Sequence, residues 1–184
     1  MAFSGGKYWN ETMTGNVFIG STAAAGTTLP LATGTAMTFG VWNTSTDFNI
    51  VMLKCNIGFT SGTIALGEFG WTDVSATVVA TGSNITAFTD GAVGTTIRNG
   101  IIGGGNASRM RFTPSAATIV ASTACYWMGS AHEGATGVGP ANTISHDFDG
   151  LFVLPPGKAA FLVGSIAQTA LFSLSLAWSE VSRN

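Results

Sequence analysis

Apolar and polar residues alternate with a period of two along much of this chain. In the run from Val51 to Phe59, Val51, Leu53, Cys55, Ile57 and Phe59 share one parity. From Phe172 to Ser179, the series Phe172, Leu174, Leu176, Trp178 interleaves with Ser173, Ser175, Ala177, Ser179. A period of two places each series on its own face of a β-strand. The same reading predicts strands over 16–20, 36–42, 47–59, 63–74, 109–112, 117–128, 144–154, 159–167 and 170–181. Turn residues separate them at Asn43-Thr44-Ser45-Thr46, Ser61-Gly62 and Pro155-Pro156-Gly157. The last is a tight turn, because proline fixes φ and glycine admits a positive φ. Segments 21–35, 80–106 and 129–142 are rich in small residues and read as loops, the middle one with at most short strands or one short helix. Residues 1–14 read as an N-terminal arm carrying Tyr8 and Trp9.

One stretch needs weighing as a membrane span, since residues 159–179 hold no charge over 21 positions. That meets the length of a transmembrane helix, about 20 residues. Gln168-Thr169 sits at its centre, however, and a helix would scatter the serines around its circumference. The alternation instead predicts a hairpin over 159–181 that closes the chain, and no membrane partner. Eight or so strands with long loops predict an all-β fold, an antiparallel β-sandwich and, among sandwiches, a jelly roll. One domain over 1–184 is expected, with no boundary or repeat.

Composition agrees with this class. Thr (25), Ser (16) and Gly (25) dominate; Thr favours strands, and Gly serves turns and bulges. Only seven Lys/Arg and nine Asp/Glu occur, so 9% of residues are charged, against about 25% in an ordinary domain. With 46% hydrophobic residues, disorder is excluded, because disorder needs low hydrophobicity and high charge. The net charge of −2 and the scattered cations also disfavour nucleic-acid binding, which draws on clustered Lys/Arg. No charge falls between Glu11 and Asp47, Arg111 and Glu133, or Lys158 and Glu180. The last two gaps coincide with predicted strands, whose outward faces would carry Ser, Thr and Ala. Such faces suit contact between subunits better than contact with bulk water.

Catalytic chemistry finds little support. Two histidines, His132 and His146, are the only candidate bases, and no Gly-x-Ser-x-Gly elbow occurs. A metal site would draw on His132, Glu133, His146, Asp147 and Asp149. Asp147-x-Asp149-Gly150 is only a fragment of a calcium loop, and zinc lacks recognisable ligand spacing. The glycine-rich segments and the Gly-Lys pairs do not complete a phosphate-binding loop. No enzyme activity, metal or cofactor is therefore expected; His132 and His146 remain as a loop site or a ring around an oligomer axis. Cys55 and Cys125 read as small buried hydrophobes rather than a disulfide pair. Of five tryptophans, Trp42 and Trp178 lie in apolar register and predict packing. Trp9 and Trp71 are the candidates for exposure and glycan contact. The N-terminus shows no apolar signal segment, so export by that route is not expected.

Two further stretches carry a resemblance. One is Phe39-Gly40-Val41-Trp42-Asn43-Thr44-Ser45 leading into Phe48-Asn49-Ile50-Val51-Met52-Leu53-Lys54 and Ser61-Gly62-Thr63. The other is Asp149-Gly150-Leu151-Phe152-Val153-Leu154-Pro155-Pro156-Gly157 with Ser173-Leu174-Ser175-Leu176-Ala177-Trp178-Ser179-Glu180-Val181. Together they resemble bacteriophage virion structural proteins of the small jelly-roll type with a tumour-necrosis-factor-like trimeric arrangement. The resemblance spans roughly residues 36–66 and 144–181. It implies a homotrimer that decorates a capsid or forms a spike, with capsid or other virion proteins as partners and the virion as location. A receptor- or glycan-binding tip of a phage fibre is the alternative. No catalytic residue carries over.

Overall fold

A computed structural model of the chain describes residues 6–74, 97–102, 105–113, 117–118, 123–131 and 143–183. One short helix, α1 (Trp9–Met13), precedes the strands. These are β1 (Val17–Ser21), β2 (Thr27–Leu29), β3 (Ala36–Met37), β4 (Gly40–Trp42), β5 (Phe48–Ser61), β6 (Gly67–Val74) and β7 (Ile97–Asn99). They continue as β8 (Arg111–Thr113), β9 (Ala117–Thr118), β10 (Thr123–Ala131), β11 (Thr143–Asp147), β12 (Val153–Leu154), β13 (Ala159–Gly164) and β14 (Gln168–Ser182).

The first sheet has the order β11-β5-β14-β1-β7, with β12 also on β5 and β2 also on β14. The second has the order β10-β6-β13-β4-β8, and β3 pairs β9 in a separate ribbon. Taking β1, β4, β5, β6, β10, β11, β13 and β14 as the first to eighth principal strands, the sheets read 1-8-3-6 and 2-7-4-5. That interleaving of first with last and second with seventh is the double-sheet jelly roll. The all-β antiparallel sandwich expected from the alternation is the fold.

The expected closing hairpin over 159–181 is not formed. β13 pairs β4 and β6 in the second sheet, whereas β14 pairs β5, β1 and β2 in the first. Residues 165–167 therefore pass from one layer to the other. The two strands differ in a way their sequences carry. All six residues of β13 are buried, so its apolar run is continuous, as for a strand covered on both faces. β14 alternates because its outward face is largely open. The predicted strand over 36–42 is split into β3 and β4, which lie in different sheets. Residues 144–154 break at Asp149 (φ 52) and Gly150 (φ 78), giving β11 and β12. Pro155–Lys158 closes the expected turn: the Lys158 N–H donates to the Pro155 carbonyl at 3.2 Å, with Gly157 at φ 79.

Between the sheets lies an aromatic core. Phe112 stacks on Trp178 at 6.0 Å and meets Phe39 edge-on at 5.1 Å; Phe69 meets Phe172 across the layers at 5.5 Å. Gly20 faces this cluster, and a Cβ there would stand 2.6 Å from the Phe112 ring. Gly20→Ala is therefore expected to lose about 1–3 kcal/mol through overpacking, read as a lower urea midpoint at unchanged m-value. Cys55 is a buried free thiol in the same core, as expected for a small hydrophobe. Burial pushes its pKa up to about 12, against a smaller opposing effect of the Trp71 indole. Native protein is expected to resist alkylation at Cys55. Cys125 lies in β10, but its side chain is outside the described residues.

A second apolar cluster lies on the outward face of the second sheet over β4, β6 and β13. Trp42, Val74, Ala159, Phe161 and Val163 point away from the main core and are buried together with Met37 of β3. Ala32 packs against them. Among the described residues, no helix is long and apolar enough to cross a membrane.

Candidate functional site

The outward face of the first sheet contrasts with that apolar face. Strand register lays it out in rows. Ser21, Ser175, Asn56 and Ser145 form one row across β1, β14, β5 and β11. Ser173, Gly58 and Thr143 form the next. On the other side, Arg98, Ile19, Ala177, Lys54 and Asp147 make a row carrying charge at its edges and at Lys54. Thr143, Ser145, Ser173, Ser21 and Ile19 are exposed, whereas Asn56, Gly58, Ser175 and Ala177 are half-buried. The polar groups partly satisfy one another: Asn56 Nδ2 donates to Ser175 Oγ at 3.3 Å, and Ser173 Oγ to the Gly58 carbonyl at 3.3 Å. The product is a shallow platform of short, mostly uncharged side chains, with Ile19 40% exposed.

The N-terminal arm lies over the far end of this face. Lys7, Tyr8 and Glu11 line a pocket of about 260 Å³ with Val51, Leu53, Ser179 and Val181. No residue of α1 is buried, so polar contacts hold the arm. Lys7 Nζ pairs with Asp147 at 3.1 Å and with Asp149. The Tyr8 hydroxyl donates to Asp147 Oδ1 and lies 3.2 Å from the Leu53 carbonyl oxygen. Thus the calcium-loop fragment is a turn closed by an ammonium group: the Asp149 N–H donates to Asp147 Oδ1 at 3.1 Å, and Lys7 sits between the carboxylates.

Tyr8, then Lys7, hold the Asp147 carboxyl below its usual range. Burial, then Asp147, push the Tyr8 phenol well above its usual range. A carboxylate depressed in the folded state stabilises it above the ordinary Asp pKa, near 3.9. That contribution disappears as pH falls through the folded value. The arm is therefore expected to stay docked at neutral pH and release in acid. In Lys7→Ala, release should begin at a higher pH, read from amide exchange over residues 8–14.

The predicted site residues separate. Trp9 is 50% exposed on α1, in keeping with its expected exposure. Trp71 is not exposed: it is fully buried in the core on β6, touching Phe39 at 6.1 Å and Phe148 at 6.3 Å. Its parity in β6, shared with Phe69, aims it between the sheets, so a coplanar Trp9–Trp71 platform is excluded. His132 and Glu133 lie outside the described residues. His146 is half-buried, with Nε2 3.2 Å from the Tyr126 hydroxyl and its ring edge-on to Phe148 at 4.9 Å. Asp147, next along β11, points to the opposite face. Among the described residues, no three His, Cys, Asp or Glu side chains gather as for a metal.

The motifs behind the resemblance act as fold clamps. Asn43 is fully buried. Its Nδ2 donates to the Phe48 carbonyl at 2.8 Å and the Leu154 carbonyl at 2.9 Å, and its Oδ1 accepts from the Ser45 N–H at 3.1 Å. Its backbone binds both ends of the Gly157-Lys158 step. The Trp-Asn and Pro-Pro-Gly segments are thus one unit in space. Glu180, closing Trp-x-Glu, is likewise buried and accepts from Ser108 Oγ at 2.6 Å and the Arg109 N–H at 3.1 Å. No family model, no curated protein and no solved structure matches the chain.

Proposed function

We propose that the chain is a virion structural protein of a bacteriophage, a homotrimer that decorates a capsid or builds a head spike by assembly rather than catalysis. The observation that carries this reading is the asymmetry of the two outer faces. The second sheet's outer face carries the buried apolar cluster of Trp42, Val74, Ala159, Phe161 and Val163, with Trp127 exposed on β10, whereas the first presents the rows of Ser, Gly, Ala and Asn. Short side chains there let another subunit approach closely with little side-chain entropy lost on contact. A chain with 9% charged residues is short of the charge that keeps a protein monomeric and soluble. Obligate interfaces bury roughly 2,000 Å² or more and exclude charge from their centre. Capsid or other virion proteins would be the outer partners, and the virion the location.

Ser145 and Ser173 are exposed on the platform and carry no structural burden in the subunit core. The double variant Ser145→Glu/Ser173→Glu is expected to convert trimer to monomer with little change in β-sheet circular dichroism. Buried like charges around a three-fold axis would be the cause. An unchanged oligomer would remove this face from the interface. Immunogold labelling of purified particles tests the location: labelling is expected on the head, and unlabelled particles would refute the virion assignment.

A further inference from the structure

We propose that the N-terminal arm docks on a neighbouring copy of the chain, so that assembled subunits exchange arms. The inference rests on the assembly reading above and adds the segment that crosses between subunits. The receiving strip is the far end of the first sheet's outer face. Irregular pairing at Leu53 turns Val51 and Leu53 outward there, and both line the pocket beneath the arm with Ser179 and Val181. A second pocket of about 320 Å³ shares Glu11, Ser179 and Val181 with the first and reaches Phe48. The arm therefore spans hollows rather than filling them, and α1 buries none of its residues. Docked on its own subunit, it leaves apolar side chains open on both parties. Trp9 and Met13 are exposed on the arm, as are Val181 on the strip and Val153 beside Val51.

What fixes the arm is polar and specific. Lys7 sits between the Asp147 and Asp149 carboxylates, and the Tyr8 hydroxyl donates to Asp147. The arm of a second copy meets this charge-complementary site with the same contacts, so exchange loses none of them. Between two subunits it also covers apolar groups that one subunit leaves open, and exchange of an identical element is a low-cost way to join copies. The pivot is a single residue. Gly15 is fixed to the body, its carbonyl accepting from Asn99 Nδ2 at 2.7 Å. Its φ of 75 is a conformation that glycine adopts readily, and glycine is equally free to turn the arm elsewhere. The eight residues from Lys7 to Thr14 reach about 27 Å when extended. Because the strip continues the platform assigned to subunit contact, that reach brings the neighbour's strip within range.

The test co-expresses two full-length chains, one carrying Lys7→Ala and the other Asp147→Asn/Asp149→Asn. Neither can join position 7 to the 147–149 turn within itself. Carbodiimide, which couples an amine to a carboxylate in contact, is applied at neutral pH and followed by peptide mass spectrometry. The co-purified mixture is expected to yield Lys7 joined to Asp147 or Asp149, and each chain alone to yield no such link. In the parent chain the link is expected in denaturing-gel bands at two and three times the chain mass. Light scattering reads the oligomeric mass of every sample before coupling. A trimeric mixture without the link, or a trimeric parent whose link lies only in the single-chain band, overturns arm exchange and leaves the assembly reading standing. A monomeric parent overturns both. Should either variant chain fail to fold, the parent gel alone decides.

Discussion

Glu180→Ala is expected to lose on the order of 3–5 kcal/mol of stability. The Glu180 side chain has no exposure and gathers donors from three directions. Ser108 Oγ and the Arg109 N–H reach it from the segment before β8, Arg109 Nη1 at 3.4 Å adds charge, and Trp178 Nε1 at 3.4 Å comes from the same strand. Truncation leaves a buried hydroxyl and two N–H groups without acceptors, each costing about 1–3 kcal/mol. Arg109 also lies 4.2 Å from the Phe48 ring centroid, so losing its carboxylate partner also loosens its packing on β5. Glu180→Gln retains the shape but turns one acceptor into a donor facing other donors, and an intermediate loss is expected. Urea unfolding followed by tryptophan fluorescence measures both. A loss below about 1 kcal/mol in Glu180→Ala would mean water replaces the carboxylate.

Asn43→Ala is expected to lose roughly 3–4 kcal/mol. Its three side-chain hydrogen bonds tie the β4–β5 turn to β12, linking positions 111 residues apart. Without the amide, the Phe48 and Leu154 carbonyls lose buried donors, and a cavity opens beneath the Pro155–Lys158 turn. Asn43→Asp separates the terms, since Oδ1 can still accept from Ser45 but no Nδ2 donor remains. It should recover little at neutral pH, because the carboxylate would face two carbonyl oxygens. Thermal unfolding of the three proteins orders them parent, Asn43→Asp, Asn43→Ala only if acceptance by Oδ1 contributes; equal variants would assign the whole effect to Nδ2.

Periodicity made the strands and the sandwich class legible because side-chain direction in a strand depends only on parity. Phe172–Ser179 therefore falls where expected, whereas in Val51–Phe59 the irregular pairing at Leu53 turns Val51 and Leu53 outward beneath the arm and leaves Cys55 and Ile57 on the core side with Ile50 and Met52. Pairing partners were less legible: alternation tells which face is buried, not which strand lies alongside. That is why β13 and β14 read as a hairpin, although the unbroken apolar run Ala159–Val163 already marked a strand covered on both faces. Trp71 misled for a related reason. Its neighbours Gly70, Thr72 and Asp73 make the local sequence polar, and only the parity with Phe69 places it inside. The arm clasp of Lys7, Tyr8, Asp147 and Asp149 joins residues about 140 positions apart, a juxtaposition that topology creates and no local signal announces.

The assembly account rests on the open face of the first sheet having a partner in solution. Multi-angle light scattering of the purified chain at micromolar concentration tests this most directly. The account predicts a single species at three times the 18.8 kDa chain mass. A stable species at 18.8 kDa across the micromolar range would contradict it.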